Sequence, residues 1–177
     1  MAKLYVVDRY NRYQEKQIVS LKKFDDITPI ELGHLVRELF PDGVSDQGNY
    51  YFLSNVPYVD PTINIDWSFE FYRRAKYPTK PSRWQSLYAW QSLNEAIAFR
   101  NFKGSPDNPI YELDVDLSRC HIADMRLLDN PNSALVHTYR AELYWQGQTM
   151  PTHIVPDWPT NWEVLVPLPI TIGKQIF

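Results

Sequence analysis

Two sets of side chains in this sequence have the types and spacing for chemistry, and they lie far apart. The first is basic: Arg73, Arg74, Lys76, Lys80 and Arg83 fall within eleven positions, interleaved with Tyr72, Tyr77 and Trp84. Guanidinium forks match phosphate oxygens in pairs, and aromatic faces stack on bases. The set therefore fits a dinucleotide or a nucleic-acid strand. A solvated helix end whose charge complements its own dipole has the same composition. Pro78 and Pro81 stiffen the loop that follows, which favours a site held in one shape. The second set is acidic. Glu163 opens the last strand directly after a Trp- and Pro-rich stretch, where a strand-end carboxylate can project into a cleft. Glu142 lies in a helical stretch, where the bland reading has it facing solvent or paired with Arg140 or another neighbour. Asp114 and Asp116 alternate on one strand face, but two carboxylates at i,i+2 without a third ligand make a weak cation site.

Other chemistries lack their signatures. His34, His121, His137 and His153 show no HExxH or paired-ligand spacing, so no metal is expected. There is no Walker-type loop, no GxGxxG and no GxSxG, and six glycines are too few for a glycine-rich phosphate cradle. Cys120 is the single cysteine; without an oriented base it reads as a small buried residue, and it excludes an internal disulfide. That cysteine usage suits a reducing compartment. The start MAKLYVVDRY lacks a signal-peptide core, and no stretch approaches the roughly 18 apolar residues of a membrane span. A cytoplasmic protein without a membrane partner is expected. The net charge of -3 gives no global pull toward nucleic acid.

The elements that must position these residues follow from pattern and punctuation. Residues 3–8 and 17–20 read as strands. Thr28 and Glu31 fit a capping box, with Pro29 at the first helical position and a stripe of Ile30, Leu32, Leu35, Val36 and Phe40 ending at Pro41. Residues 50–56 read as extended. A helix from Ile65 to Lys76 would carry Trp67, Phe71 and Ala75 on one side and pair Glu70 with Arg74. Ser86 to Trp90 is a short strand, and Ser92 with Glu95 caps the helix after it, which packs through Ala96, Ile97 and Phe99. Strands at 110–117 and 120–125 precede a helix from Ser133 to Trp145, with Leu135, Tyr139, Leu143 and Tyr144 and a stop at Gly147. WEVLVPLPITI is a strand pair or a bent strand, because Pro167 and Pro169 cannot sit in a central ladder. The mixed order predicts an α+β fold, and without a linker residues 1–177 form one domain.

The segments KLYVVDRY, YPTKPSRWQSLYAWQSLNEAIAF, YRAELYWQG and WEVLVPLPITI resemble a bacterial and phage family that looks like a divergent branch of the ADP-ribosyltransferase superfamily. The PSR run, the S-L-Y-A strand and the Ser-Leu-x-x-Ala helix start carry the match, and the four segments span nearly the whole chain. The resemblance implies a split β-sheet that grips NAD, as substrate, between two half-sheets. By position its three site elements fall near Tyr5 to Arg9, on Ser86 to Ala89 and on Glu163. It implies Glu163 as the electrostatic catalyst, with Glu142 as the competing acid, and Tyr88 beside the nicotinamide. Arg9, Arg74, Ser82, Arg83, Ser86 and Ala89 then hold the cofactor. Val6 stands where the family pattern has His or Arg, and Arg9 follows three positions later.

The expected function is an NAD-dependent mono-ADP-ribosyltransferase acting on a protein or nucleic-acid acceptor. The alternative is a non-catalytic module that binds a nucleotide, nucleic acid or protein through the basic-aromatic corner Arg73 to Trp84.

Overall fold

The computed structural model describes residues 1–25, 27–53, 61–129 and 133–177, with side chains outside 50–53 and 61–63. Its elements run β1 (Ala2–Val7), β2 (Ile18–Val19), α1 (Ile30–Leu39), α2 (Asp46–Leu53), α3 (Pro61–Lys76), β3 (Ser86–Ala89), α4 (Leu93–Lys103), β4 (Ile110–Val115), β5 (His121–Asp124), α5 (Ala134–Gln146), β6 (Trp162–Pro167) and β7 (Ile170–Thr171). Helices and antiparallel strands are mixed along the chain, which makes the fold α+β.

Among the described residues three small antiparallel sheets form: β1–β4, β2–β7 and β3–β6–β5. β6 is central in the last, and Glu163, Val164, Leu165 and Val166 are all buried because apolar layers cover both of its faces. Val164 and Val166 pack with Leu4, Val6 and Leu113 of the β1–β4 ribbon. Leu165 points the other way, into a layer of Phe69, Ala141, Tyr144 and Trp145 from α3 and α5. Side chains alternate along a strand. Glu163 therefore shares the helical face with Leu165 and with Tyr88, the residue opposite Leu165 on β3.

Among the described residues the two larger sheets are joined by backbone pairing at one bridge, where Tyr5 and Trp90 exchange hydrogen bonds of 2.9 and 2.8 Å. An antiparallel register carried past it would set Val7 opposite Tyr88. Among the described residues the pairing stops at the bridge instead, and β1 and β3 separate. A cavity fills that opening.

Several elements differ from expectation for local reasons. α1 begins at Ile30 after an extended Pro29, and no side chain caps it, so the Thr28–Glu31 capping box does not form. Its buried face is Gly33, Val36 and Phe40, while Ile30 and Leu35 are exposed. Residues 50–53 are helical, because Ser45 starts α2 by accepting the Gly48 N–H on its hydroxyl at 3.0 Å. Residues 54–56 of that expected strand lie outside the described residues. Gly48 is needed here: a Cβ would stand 2.4 Å from the Trp84 carbonyl oxygen. α3 buries Ile65, Asp66, Phe69, Glu70 and Arg73, whereas Phe71 is exposed and stacks on Trp67. α5 buries Ala141, Leu143, Tyr144 and Trp145 and leaves Leu135 and Tyr139 in solvent. The Ser92–Glu95 capping box of α4 forms as read, and Gly147, at φ 72°, closes α5.

Candidate active site

Glu163 is 2% exposed and is held from two elements distant in sequence. The turn Arg83–Gln85 precedes β3 and aims Arg83 into the helical layer, where its Nη1 donates to Glu163 Oε1. The same Nη1 donates to the Tyr144 hydroxyl at 2.6 Å, and that hydroxyl donates to Glu163 Oε1 at 2.7 Å. Arg83 Nε donates to Asp66 Oδ1 of α3 at 2.9 Å. Its guanidinium lies 4.6 Å over the Tyr88 ring, and the Tyr88 hydroxyl donates to the Arg83 carbonyl at 3.1 Å. Burial alone would make Arg83 easier to deprotonate, but Glu163, the tyrosines and Asp66 outweigh it and hold the guanidinium charged. Burial, with the Glu163 charge added and Arg83 opposing, pushes the Tyr144 hydroxyl far up, so it stays protonated and donates.

Both bonds to Glu163 fall on one oxygen. Glu163 Oε2 carries no hydrogen bond among the described residues, and Glu163 lines the cavity between β1 and β3. The cavity has a volume of about 290 Å³, and its walls include Val6, Val7 and Asp8 from the β1 side and Ser86, Leu87 and Tyr88 of β3. Small-molecule sites usually occupy ~300–1,000 Å³, so this one is at the small end.

Of the eight residues expected to form a site, Arg9, Arg83, Ser86, Tyr88 and Glu163 line this cavity. The other three do not. Ala89 is fully buried on the opposite face of β3, packed in the core with Leu87 and Val164, because alternation turns it away from Tyr88. Arg74 donates to Glu70 Oε1 at 2.8 Å and to the Leu39 carbonyl at 2.7 Å, tying α3 to the end of α1. Ser82 donates to Glu70 Oε2 at 2.9 Å and accepts the Trp84 N–H at 3.2 Å. Arg73 takes both Glu70 oxygens in a fork and latches the following loop through the Pro78 and Lys80 carbonyls. The basic-aromatic corner is thus turned inward: Arg73, Ser82, Arg83 and Trp84 are buried, and the three arginines are spent on internal carboxylates. Arg83 reaches the cavity, but as the partner of Glu163.

Glu142, the competing acid, is outside the cavity. It accepts from the Tyr72 and Tyr77 hydroxyls and from Gln146 rather than from Arg140, and these donors hold its carboxyl below the ordinary range.

A family model described as "Protein of unknown function (DUF2441)" matches residues 5–176. The chain belongs to this family. No curated protein matches it. The DUF2441 match contains every residue of the cavity, from Val6 to Leu168.

Sequence reasoning missed much of the cavity wall. Asp66 and Tyr144 gave no signal, because their partner Arg83 is 17 and 61 positions away. Asp8, Tyr10, Arg12, Tyr13, Ser45, Asp46, Gln47 and Lys103 also line the cavity. Burial, with the Asp8 and Asp46 charges, pushes the Tyr13 hydroxyl well up. Among the described residues no helix is long and apolar enough to cross a membrane, and no three metal-ligating side chains gather.

Proposed function

We propose that the protein is an NAD-dependent mono-ADP-ribosyltransferase that transfers ADP-ribose to a protein or nucleic-acid acceptor, with Glu163 as its electrostatic catalyst. The observation that carries this reading is the half-used carboxylate: Arg83 and Tyr144 fix Glu163 through Oε1, while Oε2, at the wall of a cavity, has no partner among the described residues. Support comes also from the opening between β1 and β3, which is the kind of cleft an ADP-ribosyltransferase-like split sheet requires.

The chemistry uses those groups directly. When the bond from ribose C1′ to the nicotinamide nitrogen breaks, its electron pair goes to nicotinamide and positive charge develops on the ribose. Glu163 Oε2 accepts a hydrogen bond from a ribose hydroxyl and stabilises that charge in a site already organised for it. Tyr88, held by its bond to the Arg83 carbonyl, packs beside the nicotinamide ring. The Ser86 hydroxyl already donates to the Ser82 carbonyl at 2.7 Å, so its oxygen is left to accept from ribose. The acceptor nucleophile attacks C1′ and loses its proton. A cavity of about 290 Å³ suits the nicotinamide–ribose half and leaves the rest of the dinucleotide at the mouth. The alternative, a binding module using Arg73 to Trp84, drew on guanidiniums that are committed to Glu70, Asp66 and Glu163.

The test is to incubate the protein with NAD labelled on the ADP-ribose half together with cell extract. Labelled macromolecule is expected from the wild type, falling about 10²–10³-fold in Glu163→Gln, the usual cost of losing one transition-state electrostatic contact. Absence of NAD binding by calorimetry, together with no nicotinamide release and no labelled product, overturns the proposal.

A further inference from the structure

Arg83 and Arg74 are consumed inside the protein, so the phosphates of a bound dinucleotide need other partners. We infer that Arg9, Arg12 and Lys103 form a diphosphate-binding lip at the mouth of the cavity, and that Arg12 and Lys103 are ligand-binding residues. The inference deepens the NAD reading and rests on it for the identity of the ligand's far end. Binding of a nucleoside diphosphate at the lip stands by itself.

Three observations carry it. All three cations line the cavity and are exposed, and none is in an ion pair among the described residues. The loop bearing two of them is built in advance. Asp8, 2% exposed at the end of β1, accepts the Tyr13 N–H at 2.7 Å and the Tyr10 N–H at 3.3 Å. Its charge is thereby spent on backbone donors. Asn108 donates to the Arg9 carbonyl at 3.3 Å, and Asn11 makes the turn at φ 53°. Finally, the third cation is brought alongside. A Cβ placed on Gly104 would stand 3.6 Å from Arg9 Cγ, so the Arg9 stem runs beside the end of α4, next to Lys103. The Arg9 and Arg12 guanidiniums lie 5.5 and 4.7 Å from the Tyr10 ring centre, which limits how far either can swing. Of the cavity's other charged groups, Asp46 is paired with Lys22 and Glu163 with Arg83. The fixed loop lowers the ordering cost of gripping a diphosphate, and cations without carboxylate partners need not break a bond to do so.

The probes are ADP-ribose, which has no nicotinamide to lose, and adenosine, which has no phosphate, measured by calorimetry on the full chain. ADP-ribose is expected to bind at least about tenfold more tightly than adenosine and to weaken as salt rises. Arg12→Ala and Lys103→Ala should each weaken ADP-ribose about three- to tenfold, with unchanged unfolding midpoints, and Arg12→Lys should recover part of the loss. Equal affinity for adenosine, no detectable ADP-ribose binding, or variants that bind as the wild type does would overturn the inference. The two claims separate cleanly. ADP-ribose binding lost in the variants, without nicotinamide release from NAD, keeps the lip and removes the transferase. NAD cleavage with an unchanged KM in both variants does the reverse.

Discussion

Two buried glutamates, Glu70 and Glu163, each face an arginine, and the contrast between them separates scaffold from site. Glu70 is saturated. Oε1 accepts from Arg73 and Arg74, and Oε2 accepts from Arg73 and Ser82, so four donors cover both oxygens. It lines no part of the cavity. Among the described residues Glu163 receives its donors on Oε1 alone, and it does line the cavity. A buried charge costs several kcal/mol in lost hydration unless hydrogen bonds replace the water. A fold that needs a carboxylate only as a staple satisfies it on all sides, as at Glu70. A carboxylate left with one oxygen free at a cavity wall is available to something that enters.

The contrast is open to attack by substitution. The largest effect is expected at the saturated acid. Glu70→Ala strands the buried Arg73 guanidinium, the half-buried Arg74 guanidinium and the buried Ser82 hydroxyl, and should cost about 3–5 kcal/mol of unfolding free energy in urea titrations. A loss under 1 kcal/mol would mean that Glu70 is no staple.

Acid pH probes the other side through His121, which is 2% exposed and donates from Nε2 to the Tyr144 carbonyl at 2.9 Å. Burial lowers its pKa from 6.5 to about 4. The native pKa lies below the unfolded one, so between about pH 6.5 and pH 4 the unfolded chain binds the proton that the native state refuses. Stability therefore falls as pH falls through that window, by on the order of 3 kcal/mol from this group. His121→Gln should remove that part of the slope between about pH 7 and pH 4. Parallel pH curves for the two proteins would contradict it.

A smaller loss is expected at Tyr144→Phe. It deletes the donor to Glu163 Oε1 and an acceptor for Arg83, at about 1–3 kcal/mol of stability. Because the Arg83–Glu163 contact remains, nicotinamide release should persist at a reduced rate. Its complete loss would place Tyr144 among the reacting groups.

How much of this could be read from the sequence depended on distance along the chain. The Ser92–Glu95 cap lies within four consecutive residues and is legible, as is the Gly147 stop. The Thr28–Glu31 cap has the same letters but does not form, because extended Pro29 takes the capping position. The buried side of α3 was misread for a different reason. Periodicity finds apolar stripes, and this helix buries Asp66, Glu70 and Arg73 beside Phe69. The Glu70–Arg74 pair was visible at i,i+4, yet nothing local shows that Ser82 completes it or that Arg83 turns inward to Glu163, 80 positions on. Glu163 is legible as a strand-opening acid, Tyr88 and Ser86 rest on the resemblance, and strand alternation explains why Ala89 does not join them. Arg12 and Lys103 have the letters of ordinary surface cations. Only the loop fixed by Asp8 and the end of α4 bring them to the cavity.

On the proposed reading Glu163 Oε2, without a partner among the described residues, does chemistry, while the saturated Glu70 does not. The most direct measurement is nicotinamide release from NAD by the wild type and by Glu163→Gln, with the folded fraction of each fixed by its urea curve. Release is expected from the wild type, with a loss of about 10²–10³-fold in a variant that remains folded. Equal release from both proteins, or none from a folded wild type, would contradict it.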